Sequence, residues 1–349
     1  LVSLIALGHW FYDSGLLFGI FEPEHVFVSE RARWPFVNSN HLGHFLLPLF
    51  FLSLGSLILQ FHSFYESRMG GPPLMRILPQ LLAEKSQSKI AALCFYLFLP
   101  LVFCLAILAS LSRSSWFGFA IGLLIFTFFT PRAKGKSETV APTKHRKYAD
   151  HFSLHPLGFR IAHRSFKIVA HSLIKPFSVI AAMILIYFFI SGRGADLVEG
   201  RIEYGLLYSL DDMRWKLFEN SLPMIKEHLL WGVGPGQWRH LFPRYMDSLL
   251  AGVNPVYLHS DPLQLLAESG LLGTLLIIVT CILFIGRAFT HSASLSFRDK
   301  VLKTSLISGL ISLGIASWFD FPFRIPAILS CAAALLALTA FYQEGLQGK

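Results

Sequence analysis

Charge is scarce in this chain. Asp, Glu, Lys and Arg make up only 15% of its 349 residues, against about a quarter in an ordinary soluble domain. Hydrophobic residues make up 54% and mean hydropathy is +0.55, so a water-soluble globular fold is excluded in favour of a multi-span membrane protein. Cysteine is scarce too. All four (Cys94, Cys104, Cys281 and Cys331) fall inside apolar runs, where they act as small apolar residues and build no exterior disulfide framework. Several catalytic signatures are missing: HExxH, cysteine pairs at ligand spacing, Asp-x-Asp and GxSxG. The adjacent carboxylates of Asp211 and Asp212 diverge. Fourteen histidines therefore make no recognisable metal site, and no metal or cofactor is expected. The turn GVGPGQ lacks the preceding strand and the Lys-Ser/Thr ending of a nucleotide loop.

What is present is a series of apolar runs. Full spans are expected near His41–Phe61, Ile90–Leu111, Trp116–Thr130, Pro176–Gly192, Pro262–Phe289, Leu302–Trp318 and Ile325–Phe341, with a stub at Leu1–Phe11. The expected fold is an all-α polytopic membrane protein, a bundle of about eight transmembrane helices with one large periplasmic loop containing short helices. The chain opens on Leu1 inside an apolar run, without an initiator Met or a signal peptide, which reads as N-terminal truncation. Three parts follow: N-terminal helices over 1–192 with a basic cytoplasmic loop at 131–175, the large loop at 193–261, and C-terminal helices over 262–349.

Orientation comes from Lys and Arg. The connection Thr130–Lys175 holds ten of them against two acids, Glu138 and Asp150, which puts it in the cytoplasm. The connections Glu66–Lys89 and Arg287–Lys303 then share that side, while Tyr12–Asn40, Ser112–Ser115, Arg193–Asp261 and Asp320–Arg324 lie outside. The net charge of +9 is thus a topology signal, and no nucleic-acid partner is implied.

The large outer loop is the natural place for a site. An amphipathic helix is expected from about Asp212 to His228, with Trp215, Leu217, Phe218, Leu222 and Ile225 on its apolar face. A turn is expected at Gly232, Gly234, Pro235 and Gly236, and Trp215, Trp231 and Trp238 read as aromatic anchors. After the loop, Asp261 and Pro262 read as the N-cap and first residue of a helix running toward Arg287. With hydrocarbon beginning near Ala267, His259 lies roughly 12 Å further out along a helix axis, at headgroup depth. Histidine there suits proton transfer, and the alternative is an interfacial anchor. Arg113, in a tight outer turn, either binds an anion or snorkels. Arg214 either binds an anion or pairs with Asp211 and Asp212. Arg193, Arg201, Arg239 and Arg244 are further candidates in the same loop, because a planar fork binds phosphate bidentately. Glu268 either orients a substrate or bonds to neighbouring helices. Asn40 reads as an N-cap beside His41, and Asp320 is expected to pair with Arg324.

These motifs together resemble the O-antigen ligase and O-antigen polymerase superfamily of bacterial envelope glycan transferases. His259-Ser260 followed by nine residues, Gly270, two more and Gly273 is similar to the family's histidine motif. FVNSNHLGHFLLPL resembles its Asn-x-Asn-His span opening, SRSSWFGFAIGLL its Ser-Arg-Gly-x-Trp segment, RWKLFENSLPMIKEHLLWGVGPGQW its large outer loop, and WFDFPFRIP its late Asp-Phe turn. One departure is Phe218, which stands where the ligase branch has the leucine of an Arg-x-x-x-Leu element.

The resemblance implies a metal-independent, inverting glycosyl transfer at the periplasmic face of the bacterial inner membrane. The donor would be a glycan on undecaprenyl diphosphate and the acceptor a hydroxyl of lipid A core, of another glycan or of a protein. His259 would be the general base, and Arg113 and Arg214 would stabilise the departing diphosphate. Beside what the resemblance implies, Arg193, Arg201, Arg239, Arg244, Glu268, Asn40 and His41 are the residues expected to bind substrate. Ligase, polymerase and pilin-type protein glycosylation all remain open within that family. A transporter for the same lipid-linked glycan, or a non-catalytic scaffold, is the rival outside it.

Overall fold

A computed structural model of the chain describes residues 1–12, 31–66, 87–131, 210–250, 252–290 and 295–344. Every regular element among the described residues is helical. The helices are α1 (Val2–Tyr12), α2 (Ser39–Glu66), α3 (Gln87–Ala109), α4 (Arg113–Phe129), α5 (Leu210–Glu227), α6 (Trp238–Leu241), α7 (Asp261–Thr290), α8 (Phe297–Ala316) and α9 (Pro326–Glu344). Short 3-10 turns stand at Phe242–Arg244, Ser248–Leu250 and Pro322–Arg324. The span expected at 176–192, Arg193, Arg201 and nearly all of the basic connection at 131–175 lie outside the described residues.

Three helical stretches are long and apolar enough to cross a membrane: Ser39–Ser63, Ala91–Ala109 and Asp261–Phe284. Apolar stretches in α1, α4 and α9 are shorter. The centre is made by α2, α4 and α8. Leu42, Leu46, Leu47, Phe50 and Phe51 of α2 meet Trp116, Phe119, Ala120 and Phe126 of α4. In an apolar surrounding such helices associate by close packing rather than by hydrophobic transfer. A Cβ on Gly118 would stand 2.3 Å from the carbonyl oxygen of Ser312, and one on Gly309 would stand 2.8 Å from the Cα of Pro48. Polarity in α8 is turned inward: Ser305, Ser308 and Ser312 are buried, and two of them donate to carbonyls of their own helix.

The connections expected on one side of the bilayer meet at one end of this bundle. Ala32 donates from its backbone to the Ala109 carbonyl, Asn40 meets Asp320, His44 meets Ser114, and α5 reaches the turn after α8. At the other end His62 stacks on Phe297 and the Thr304 hydroxyl approaches the Phe129 carbonyl.

The loop at the first end has its own core. Leu217, Met224 and Ile225 of α5 pack with Trp238, Phe242, Leu250, Leu258 and Ala267; each of the Leu, Ile, Met and Phe side chains among them contributes about 1.5–3 kcal/mol when fully buried from water. The buried face of α5 differs from the expected one. Trp215 is 65% exposed and Leu222 46% exposed, because Leu217, Ser221, Met224 and Ile225, at i, i+4, i+7 and i+8, form the stripe that meets the core. Trp238 is core rather than anchor: it is fully buried and its indole N–H donates to the Ser221 hydroxyl at 3.1 Å. Trp231, 78% exposed, keeps an outward place.

Candidate active site

The chain enters α7 through a clamped turn. Leu258 is fully buried, and its N–H donates to the Gln264 side-chain oxygen at 3.1 Å. His259 follows with φ of +59°, a left-handed conformation unusual for a residue with a Cβ and therefore one that its surroundings must enforce. Ser260 rather than Asp261 precedes the helix, and the Asp261 carboxylate has a different task. Its Oδ2 accepts from the Phe323 N–H at 2.9 Å, while its own N–H faces the carbonyls of Ser317 and Asp320 at 2.9 and 3.1 Å. The start of α7 is thereby fastened to the turn between α8 and α9.

That turn carries Asp320, which is fully buried. Its Oδ1 accepts from the Phe321 N–H at 3.0 Å and stands 3.5 Å from Nδ1 of His259. Its Oδ2 accepts from the Asn40 amide at 2.7 Å. Burial alone would raise the carboxyl pKa, but its neighbours, the His259 imidazole first and the Arg214 guanidinium among them, outweigh it and hold Asp320 below the usual carboxylate range. An ionised carboxylate 3.5 Å from Nδ1 favours the tautomer with the proton on Nδ1, which leaves Nε2 as the acceptor. The His259 side chain is 30% exposed, whereas Nδ1 is buried and has no hydrogen-bond partner among the described residues, so Asp320 acts on it as a nearby charge and the ring is accessible on its other side. Phe321 buttresses it, edge to face at 4.8 Å.

The expected Asp320–Arg324 pair does not form. Arg324 turns to the other helix, donating from Nη2 to Glu268 at 2.9 Å and standing 3.6 Å from Asp261. Asp320 is buried against the Asn40 amide and the Phe321 N–H, while the longer Arg324 side chain reaches the α7 carboxylates. Asn40 is not the cap of α2: the Asn38 side chain accepts from the Asn40 N–H at 2.9 Å, which frees the Asn40 amide for Asp320. His41 packs against the same Phe321 ring at 5.4 Å, and its Nε2 is buried with no hydrogen-bond partner among the described residues. His44, which sequence reasoning passed over, lies one helical turn below, fully buried, 3.0 Å from the Ser114 hydroxyl.

Arg214 stands one turn before Leu217 on the buried stripe of α5 and reaches the same place. Its Nη1 donates to the Phe319 carbonyl at 3.0 Å. Arg113 is the first residue of α4, where Ser112 caps the helix by accepting from the Ser115 N–H. One turn further along its face, Phe117 meets Phe319 edge to face at 5.7 Å. Arg113, Arg214 and His259 are therefore each carried by an element that touches the four-residue stretch from Trp318 to Phe321. Arg239 and Arg244 are exposed on α6 and the following 3-10 turn, and none of the described contacts joins them to that stretch.

Glu268 is buried, with one oxygen on Arg324 and the other accepting from Gln264 at 2.9 Å. It anchors a break in α7. Gly270 has φ +64° and ψ −173°, outside the helical region, and a Cβ there would meet the Leu230 carbonyl oxygen at 2.4 Å. The interrupted ladder is repaired by the loop after α5: Val233 and Gly234 donate to the carbonyls of Ala267 and Glu268, and Leu271 donates to that of Leu229. A broken backbone at membrane depth is stable where protein supplies the missing partners. His259 thus does not extend a continuous transmembrane helix. Beyond the break, Leu271–Thr290 still spans roughly 30 Å at 1.5 Å per residue, with Leu275, Leu276, Ile282 and Leu283 all exposed.

Among the described residues no group of three or more His, Cys, Asp or Glu side chains is arranged to hold a metal ion. No curated protein and no solved structure gives a significant match to the chain. A family model described as O-antigen ligase matches residues 96–278, a stretch that begins in α3 and includes Arg113, Arg214, His259 and the Gly270 break. That stretch is just over half of the chain, and the chain belongs to the O-antigen ligase family of membrane proteins.

Proposed function

We propose that this O-antigen ligase family protein transfers a glycan from undecaprenyl diphosphate to an acceptor hydroxyl at the periplasmic face of the bacterial inner membrane. The observation that carries the reading is the buried Asp320 carboxylate 3.5 Å from Nδ1 of a partly exposed His259, with Arg214 bound to the adjacent residue Phe319. In this reading the acceptor O–H gives its proton to Nε2 of His259 as its oxygen attacks the anomeric carbon. The bond from that carbon to the diphosphate oxygen breaks, and the lipid diphosphate leaves with the electron pair. Asp320 stabilises the imidazolium formed. Arg214 and Arg113 offset the charge gathering on the leaving group, so no divalent ion is needed. Attack opposite the leaving group inverts the anomeric centre. Glu268 serves as a clamp for the α7 break, holding the His259 turn rather than the sugar.

The test is incubation of the purified full-length protein with a synthetic undecaprenyl-diphosphate oligosaccharide and separate lipid A core, glycan and peptide acceptors, in EDTA, followed by mass and anomeric analysis of the products. A glycosylated acceptor with inverted linkage supports the reading, and the acceptor used separates ligase, polymerase and protein-glycosylating activity. Movement of donor across a vesicle membrane without product formation contradicts it and favours a transporter.

A further inference from the structure

Arg31 lies ahead of α2, outside the residues matched to the family. Its Nε donates to the Ser110 carbonyl at 2.8 Å, which the end of α3 at Ala109 leaves available, and its Nη2 donates to Oδ1 of Asn40 at 2.6 Å. A guanidinium only donates, so the oxygen of the Asn40 amide must face Arg31 and its NH2 must face Asp320. Reversal would set the amide NH2 against a cation and its oxygen against a carboxylate. With Oδ2 of Asp320 held by that NH2 at 2.7 Å, and Oδ1 held by the Phe321 N–H, the carboxylate plane is fixed and Oδ1 is aimed at Nδ1 of His259.

Resting on the glycan-transfer reading above, we propose that Arg31 is a positioning residue for the reaction: it fixes the Asn40 amide, which fixes Asp320, which sets the tautomer and aim of His259. Arg31 touches neither donor nor acceptor in this scheme. The chain beside it is independently anchored, because the Ala32 N–H donates to the Ala109 carbonyl at 2.9 Å. Removing the Arg31 side chain therefore releases the Asn40 amide without freeing the backbone.

The experiment compares Arg31→Met, Arg31→Lys, Asn40→Leu and the Arg31→Met/Asn40→Leu double variant in the full-length protein. Transfer from the undecaprenyl-diphosphate oligosaccharide is measured together with the 15N resonances of His259, identified by their loss in His259→Gln. Losing a hydrogen bond to a charged group is expected to lower kcat about tenfold in Arg31→Met, with the KM for the donor unchanged. Arg31→Lys, which keeps one donor, recovers most of that loss. Because Arg31 acts through Asn40, the double variant is expected to be no slower than Asn40→Leu alone. The His259 spectrum moves from one tautomer to a mixture in both single variants. Multiplied losses in the double variant, or a wild-type His259 spectrum in Arg31→Met, overturn the proposal. If Arg31→Met does not fold, Arg31→Lys decides instead: its residual defect is expected to vanish in the Asn40→Leu background, and persistence there overturns the proposal. Absence of product with the wild-type protein defeats the glycan-transfer reading, whereas the 15N comparison still decides whether Arg31 sets the imidazole.

Discussion

Arg214, on α5 of the large loop, donates from Nη1 to the carbonyl oxygen of Phe319 at 3.0 Å, one residue before the carboxylate that faces His259. The loop and the membrane bundle are thus joined at the residues proposed to act. The bond uses one edge of the guanidinium, and a phosphate can be met only by the remaining donors. Arg214→Lys is expected to break this arrangement because an ammonium cannot hold the carbonyl and present a planar fork together. Transfer should fall about a hundredfold with little change in melting temperature, measured as initial rates and thermal unfolding in the same detergent. Unchanged rates would remove Arg214 from the leaving-group role.

Asp320→Asn keeps the shape of the side chain and the bond from Asn40 can be rebuilt, but the negative charge on Nδ1 is lost. A drop in kcat of about a hundredfold or more is expected. Its effect on stability has a definite sign. Because Asp320 is depressed in the folded chain, its ionised form stabilises the fold above the ordinary carboxylate pKa, near 4. That contribution is lost as pH falls through the lower folded value. The wild-type melting temperature should therefore decline more steeply than that of Asp320→Asn below about pH 4. Parallel curves would show that the carboxylate is not held ionised by its neighbours.

Much of this was legible in the sequence. Among the described residues the apolar runs fall on helices, three of them long and apolar enough to cross a membrane, because hydrocarbon length and backbone satisfaction leave few alternatives, and the family's histidine motif singled out His259 together with Gly270. Partners were less legible. Asp320 and Arg324 are four residues apart in a tight turn, which invites a local pair. Only the packed structure shows that Asp320 is walled in by Phe321 and Asn40 while Arg324 crosses to α7. The break at Gly270 was hidden for a similar reason. A glycine in an apolar run reads as helix until the Leu229–Gly234 segment supplies the bonds that replace the ladder. The signal for Asp320 was its setting, a carboxylate flanked by phenylalanines on both sides, where a charge must be held by neighbouring groups rather than by water.

Gly270 provides a test that is read as stability rather than as rate. A Cβ would meet the Leu230 carbonyl oxygen at 2.4 Å, at a φ of +64°. Gly270→Ala should cost roughly 1–3 kcal/mol from backbone strain, and more if the Leu229–Gly234 segment is pushed off α7. Lowered thermal stability, with new proteolytic cleavage between Leu229 and Gly234, is the expected result. An unaltered protein would mean that α7 runs straight through this residue.

The central claim concerns the proton. The most direct measurement is the single-turnover rate of transfer from an undecaprenyl-diphosphate oligosaccharide by the wild-type protein and by His259→Gln, in membranes containing equal amounts of each. Glutamine keeps polar character and approximate size but cannot take the acceptor proton. A fall of about 10²–10⁴-fold, with donor binding and membrane insertion retained, is the predicted outcome. Transfer by His259→Gln within a few fold of wild type would contradict the account.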